Sequence, residues 1–410
     1  MGLSKQELVA PATNNFTGFV AKNVLAEEAL TEWKRILSYW HKYAPDYQRG
    51  GFHGRVDYDN KPVLDAPRSA ILYGRILWTF SKAYRQFHKR KYLLMAERAY
   101  NYLNMYFKDA QYGGVYWSVT ADGKPLDTRK HLYSNAFVIY GLSEYYAATR
   151  FPPALDLAID VFHLIDKYGY DNQKGGYFEG FGQQWETIDD MILTKQPYNK
   201  SQNTHLHIIE AFTNLFQIWP DSLLRTRVTH LIDMFLENLI SKDAHQLRLF
   251  FDRNWQPKDP IISYGHDIEA SWLLWETAEI LGDATRSEKI KTKCLQMAEA
   301  ACTGLGNDGA LNYEYDPATH HLNTDRSWWV LTEQLVGFIN AYQLSHQAHY
   351  LEKAQQSWDY IKKYFLDYEM GEWYSTVKPD FTPVKADKIS FWKCPYHNSR
   401  ACYETWHRLR

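Results

Sequence analysis

Residues 112–124 read YGGVYWSVTADGK, and a stretch built the same way returns five more times along the chain. A glycine pair or an equivalent turn precedes residues that alternate apolar and polar and then turn, the pattern of a short strand or hairpin. The other five are RGGFHGRVDYDNK, KGGYFEGFG, HQLRLFFDRNW, DGALNYEYDPATH and MGEWYSTVKPD. With Gly51, Gly114, Gly176, Leu249, Leu311 and Trp373 as markers, the steps are 63, 62, 73, 62 and 62 residues. Each interval holds two helical patterns, such as AEEALTEWKRILSYWHKY and RSAILYGRILWTFSKAYRQF, with apolar residues at i, i+3, i+4 and i+7.

Six units of two helices and a hairpin predict an all-α fold, an (α/α)6 barrel with short β-hairpins at one rim. A lone helix pair cannot bury its apolar face, so the stack must close or be capped. An open helical solenoid is the alternative. The 410 residues suggest two or three domains by length alone. A closed toroid removes that need, and a single domain over residues 1–410 is expected.

Composition is that of an ordinary globular chain, 45% hydrophobic and 23% charged. A net charge of −2 offers no basic footprint for nucleic acid or an anionic membrane. No apolar run approaches the length of a membrane span. The segment MGLSKQELVAPATNN lacks a hydrophobic signal core. Cys294, Cys302, Cys394 and Cys402 form no CxxC or zinc spacing and read as reduced thiols, so a cytoplasmic protein is expected. Aromatics stand out, with 15 Trp and 31 Tyr. Flat rings suit the C–H faces of sugars, and they equally suit a helical core.

The second helix of each unit starts near Arg68, Tyr133, Asn203, His266, Trp328 and His397. If these are inner helices, their first turns converge on one mouth of the ring. Asn203, His207, Glu210 and Asn214 fall at offsets 0, 4, 7 and 11, one polar line on a core-like helix. A cavity lining or a solvated face gives such a line; the absence of Lys and Arg favours the cavity. His205, two residues from His207, does not share its face. His266 and Glu269 are three apart, an arrangement that suits a proton-transfer base, a metal ligand or a helix start, with Asp267 a capping candidate. Trp329 and Glu333 share a face, and Trp328 is placed to stack on a sugar or a neighbouring helix. Trp392 precedes a proline turn, and His397 stands at a helix start. Arg55 is either an oxygen clamp or an exposed hairpin residue. No HExxH or CxxC spacing marks a metal centre, and no GxSxG elbow marks a serine nucleophile. Nucleotide binding has no motif support in this reading.

Taken together, GGFHGRV, RSAILYGRILWTFSKAYR, NTHLHIIEAFTNL, SYGHDIEASWLL, RSWWVLTEQLVGFINAYQ and FWKCPYHNSRACYE resemble the N-acylglucosamine 2-epimerase superfamily, in particular its cellobiose and D-mannose 2-epimerases. The resemblance runs almost the full chain. It implies the (α/α)6 fold and inversion at C2 of a ring-opened aldose through an enediolate, without metal or cofactor. It implies His266 and His397 as the proton-transfer pair and His207 as a third functional histidine. Glu269 would orient the base and Arg55 would contact the reacting oxygens. Asn203, Tyr133, Trp328, Trp329, Trp392 and Glu333 would meet the sugar. The expected partner is a small sugar, with no nucleic acid or membrane, and the chain a monomer or weak homo-oligomer.

Two departures bear on substrate. Cellobiose epimerases of this pattern tend to carry His before the tryptophan pair and Gln-Ala-Glu after it; here Ser327 precedes and Leu331-Thr332-Glu333 follows. The loop LTKQPYNKSQ lacks a carboxylate for a second sugar. Both point toward free mannose and glucose, with a disaccharide as the alternative. The rival activities are aldose–ketose isomerisation, glycoside hydrolysis through Glu269 and Glu333, and sugar or protein binding without turnover.

Overall fold

The computed structural model describes residues 13–189 and 198–410. The described helices alternate between two concentric rings. The outer ring is α1 (Thr13–Tyr43), α3 (Arg90–Tyr102), α5 (Pro152–Leu164), α7 (Ser222–Met234), α9 (Ala284–Ala301) and α11 (Ala348–Tyr360). The inner ring is α2 (Ala70–Phe87), α4 (Leu132–Thr149), α6 (Gln202–Phe216), α8 (Tyr264–Leu281), α10 (Trp328–Ser345) and α12 (Tyr396–Leu409). Each inner helix packs on the next, and α12 returns to α2, so the ring closes. This is the (α/α)6 barrel, and its inner helices begin within two residues of the starts read from sequence.

Sequence dictates which ring a helix joins. The first fourteen residues of α4, LYSNAFVIYGLSEY, are buried without interruption, as for a helix covered on all sides. In α3 the buried set Tyr92, Met95, Ala96, Ala99 and Tyr100 is a single stripe. Close approach of α2 and α4 rests on Gly74 and Gly141. A Cβ on Gly74 would meet the Phe137 carbonyl oxygen at 2.6 Å, and one on Gly141 the Gly74 carbonyl oxygen at 2.5 Å.

The hairpins close a second circuit at one rim. The residues just before an inner helix pair antiparallel with the next unit's hairpin: Arg68–Ser69 with Ser118–Val119, Lys130–His131 with Gly180–Phe181, and Lys200–Ser201 with Phe250–Phe251. Ile262 bridges Tyr315, Arg326–Ser327 pairs with Thr376–Val377, and Val56 with Ile389 seals the ring. Inner-helix side chains staple these hairpins. Tyr73 Oη, Asn135 Oδ1, His205 Nε2, Asp267 Oδ1 and Gln334 Oε1 each accept from a hairpin N–H, at 2.7, 3.0, 2.8, 2.6 and 2.8 Å. Asp267 is therefore a staple and not a helix cap. Buried ion pairs add to the rim, with Lys130–Asp109 at 2.7 Å and Lys200–Asp171 at 2.8 Å. In the fourth unit the hairpin's turn lies at His245-Gln246, ahead of the marker Leu249, and His245 takes the positive φ that glycine supplies elsewhere.

No helix among the described residues is long and apolar enough to cross a membrane.

Candidate active site

Two cavities occupy the ring axis, one at each end. The rim-side cavity, about 520 Å³, is lined by Arg75, Tyr133, Asn203, His207, His266, Glu269, Trp328, Trp329, Trp392 and His397, with Tyr313, Asn323, Asp325, Ser327 and Thr376 toward its mouth. The far cavity, about 740 Å³, has Glu210, Asn214, Trp272, Glu276, Arg400 and Arg408 among its lining residues. The polar line of α6 thus runs through the floor: Asn203 and His207 face one cavity, Glu210 and Asn214 the other.

Three imidazoles face the rim-side cavity, and each is held from behind through Nδ1. His207 Nδ1 lies 3.0 Å from Glu210 Oε2, His397 Nδ1 lies 2.8 Å from Glu333 Oε1, and His266 Nδ1 lies 2.7 Å from Ser263 Oγ. Trp329 contacts two of them, its ring centroid 4.8 Å from His266 and 5.9 Å from His397. Tyr133 meets the His207 ring edge-on at 4.9 Å. Trp328 and Trp392 supply further flat surface, so these three tryptophans line the cavity while Trp33, Trp40, Trp358 and Trp373 are core.

Three residues of the sequence reading change place. Arg55 is outside the cavity: its side chain is 51% exposed and pairs with Asp387 at 2.7 Å. The reason is strand alternation, because neighbouring Val56 points inward to bridge Ile389. Glu269 lines the cavity but bonds Arg400 Nη2 at 2.8 Å and does not hold His266. Orientation of an imidazole by a carboxylate falls instead to Glu333 and Glu210; Glu333, read as a sugar contact, lies behind His397.

Arg75 takes the position that Arg55 does not. It is almost fully buried, donates to Tyr133 Oη at 2.8 Å, and lies over the Phe137 and Tyr396 rings. Among the described residues no carboxylate pairs with it. A buried cation without a counter-ion is costly, so the position favours a ligand that brings or develops negative charge. Its sequence signal was an arginine inside the apolar run AILYGRILW. Asn203 Oδ1 and Trp328 Nε1 are likewise buried without partners in a cavity built to receive polar groups.

Arg400, also passed over, sits three residues after His397 on the same face. It donates to Glu269 and Glu333, each at 2.8 Å, and contacts Glu210 and the Tyr396 hydroxyl. Three carboxylates share one guanidinium. Burial pushes each upward; Arg400, His207 and Tyr396 outweigh it at Glu210, which is lowered to about 2. Burial and the Glu333 charge raise Glu269 well above the usual range, so it is the carboxyl that stays protonated. Glu269, Glu333 and His397 also form the one metal-type cluster among the described residues. Arg400 already supplies positive charge to both of its carboxylates. The sequence showed no such spacing because three different helices contribute.

The string Gly304-Leu305-Gly306-Asn307-Asp308-Gly309 fits GxGxxG, which the motif reading passed over. It forms the turn of the fifth hairpin and opens no helix, so it is not a dinucleotide loop. Residues 193–197 of LTKQPYNKSQ lie outside the described residues, as do residues 1–12.

Burial sets the charge state of the histidines. It lowers His266 to about 3 and His205 to about 4, and also lowers His207 and His397. Unfolded histidines take up protons near pH 6.5, while these stay neutral until far lower pH. Their contribution is complete above pH 6.5 and is lost as pH falls below it, on the order of 1 kcal/mol per pH unit per group. Buried carboxyls with raised pKa, Asp267 at about 8 and Glu276 at about 7, gain stability over the same range, so the histidine contribution is read by difference. The urea midpoint should fall more, or rise less, from pH 7.5 to pH 5 in the native chain than in His205→Gln; the same change in both would contradict the buried neutral state.

The family model for N-acylglucosamine 2-epimerase matches residues 27–401. The chain is 42% identical to cellobiose 2-epimerase of Bacteroides fragilis, over 94% of this chain and 98% of that protein. It is 36% identical to cellobiose 2-epimerase of Dictyoglomus turgidum, over 92% and 96%. A solved cellobiose 2-epimerase from Bacillus thermoamylovorans superposes with a TM-score of 0.91 at 39% identity, covering 94% of this chain and 100% of that one.

Proposed function

Since the chain belongs to the N-acylglucosamine 2-epimerase family, we propose that it inverts C2 of an unmodified aldose through ring opening and a cis-enediolate. One observation carries the reading: three back-tied imidazoles share a cavity with a buried arginine that has no carboxylate partner among the described residues. The C2 proton of an open-chain aldose is acidified by its carbonyl. Of His266 and His397, one takes that proton and the other, carrying a proton, delivers it to the opposite face. Negative charge then gathers on O1 and O2, where Arg75 offers the unmatched cation. That same charge favours the imidazolium which burial alone resists. His207, tied to Glu210, presents its other nitrogen to the sugar oxygens. Glu269, protonated, is a neutral donor at the same wall.

For substrate we favour free D-mannose and D-glucose. Ser327 puts a small hydroxyl on the cavity wall ahead of Trp328, where the cellobiose pattern has an imidazole. A second reading, the reducing-end glucose of a β-1,4 disaccharide such as cellobiose, is favoured by the relatives' names and by the room between Asn323, Asp325 and Thr376 at the mouth.

The test is incubation with D-mannose and, separately, cellobiose in D₂O, followed by NMR. The expected result is the C2 epimer with deuterium at C2, and a higher kcat/KM for mannose. Fructose as main product would replace epimerisation by isomerisation. Faster cellobiose turnover would select the disaccharide.

A further inference from the structure

Five of the six inner helices are preceded by serine or histidine: Ser69, His131, Ser201, Ser263 and Ser327. A serine in that place usually gives its oxygen to a backbone N–H of the first turn. Ser69 does so to Leu72 N at 3.0 Å, and Ser201 to Thr204 N at 3.1 Å. Ser327 makes no side-chain cap, and neither does Ser263. Its hydroxyl turns instead to His266 Nδ1, 2.7 Å away, and the residue is 7% exposed. The helix start forgoes a cap, and the imidazole gains a fixed ring.

This sets His266 apart from the other two cavity histidines. His207 and His397 have the Glu210 and Glu333 carboxylates behind them, while burial and the Arg75 and Arg400 cations facing both rings oppose a proton there. His266 has only a hydroxyl. The titratable groups facing it are His207 from α6, which resists a proton on His266 when itself protonated, and Glu333 from α10, which favours one, with Glu269 on its own helix tied to Arg400. His397 lies against the Trp329 ring that also meets His266. Tyr313 also packs on Trp329, from the hairpin side.

We propose that Ser263 is a positioning residue for the reaction. Diverted from the helix cap, its hydroxyl orients the His266 ring, fixes its tautomer with Nε2 toward the sugar, and withholds the carboxylate backing that its partner has. The pair is thereby asymmetric: a hydroxyl stands behind His266 and the Glu333 carboxylate behind His397. The inference rests on the epimerase reading above.

The experiment measures kcat, KM and C2–H exchange in D₂O from each epimer, across pH, for the native chain and for Ser263→Ala, Ser263→Thr and Ser263→Asp. Ser263→Ala should lower kcat about tenfold with little change in KM, the scale of one hydrogen bond. Ser263→Thr, which keeps the hydroxyl, should return to within about threefold of native on the same reasoning. Ser263→Asp should move the acid limb of kcat/KM upward by about one to three pH units, and only for the epimer whose C2–H faces His266. In ¹⁵N-histidine spectra, the resonance pair missing from His266→Asn should lose its single-tautomer shifts in Ser263→Ala. Native kcat in Ser263→Ala, or acid limbs that move together for both epimers, would overturn the assignment while leaving epimerisation standing. A native protein that exchanges no C2–H would overturn the epimerase reading itself.

Discussion

His266→Asn and His397→Asn should each lower epimerisation by about 10²–10⁴, the range for one positioned acid or base, and should fail in opposite ways. Inversion needs a proton removed on one face of C2 and supplied on the other. The two imidazoles face one cavity from different helices and both contact Trp329; a base on one face of C2 cannot serve the other. A chain left with one imidazole still has a base for one face. His266→Asn should therefore exchange C2–H of one epimer with solvent without inverting it, and His397→Asn should do so only with the other epimer. Asparagine keeps a polar group of similar reach, so the fold and Trp329 packing should survive, as circular dichroism and unfolding midpoints would report. Proton NMR in D₂O from each pure epimer separates the cases. Either variant within about threefold of native, or both exchanging the same epimer, would contradict a two-base inversion.

The ring was legible in the sequence because its period is local: a turn, an alternating stretch and two helices fit in about sixty residues, and the cue repeats. The histidines were legible because each opens an inner helix in phase with that period. What supports them was not. Glu333 backs His397 across 64 positions, and Arg400 reaches Glu210 across 190. Sequence spacing reports neighbours on one helix, so Glu269 looked like the partner of His266 when its bond runs to another helix. Arg55 misled for a similar reason: the hairpin's direction depends on Val56 bridging Ile389, a contact between the first unit and the last. Arg75 and Arg400 were hidden because an arginine in an apolar helix reads as an interruption until a cavity is seen beside it.

Replacing Arg400 with methionine should be the most damaging single change to stability, about 3–5 kcal/mol at pH 8, because it strands buried charge. The guanidinium is 1% exposed and contacts Glu210, Glu269 and Glu333, with the Tyr396 hydroxyl beside it. Methionine matches its length and apolar stem, so lost packing is small and the loss is electrostatic. Without the cation all three carboxyls rise: Glu269 and Glu333 go further above the unfolded value near 4.3, and Glu210 loses the neighbour that holds it below that value. A folded group with a raised pKa costs stability above the unfolded pKa, and that cost disappears on acidification. The deficit of Arg400→Met relative to native, taken from urea unfolding, should therefore be large at pH 8 and smaller at pH 5.5. Adding Glu210→Gln should recover part of it, since Glu210 is the carboxylate held ionised beside Arg400 and its stranded charge is then removed. Arg400→Lys should sit between, because an ammonium cannot span three carboxylates as a planar fork does. Catalysis should fall in parallel, through His397 losing a firmly placed Glu333 and His207 a firmly placed Glu210. A deficit that widens toward acid, or native stability at pH 8, would mean that the three carboxylates do not depend on Arg400 for their place in the ring.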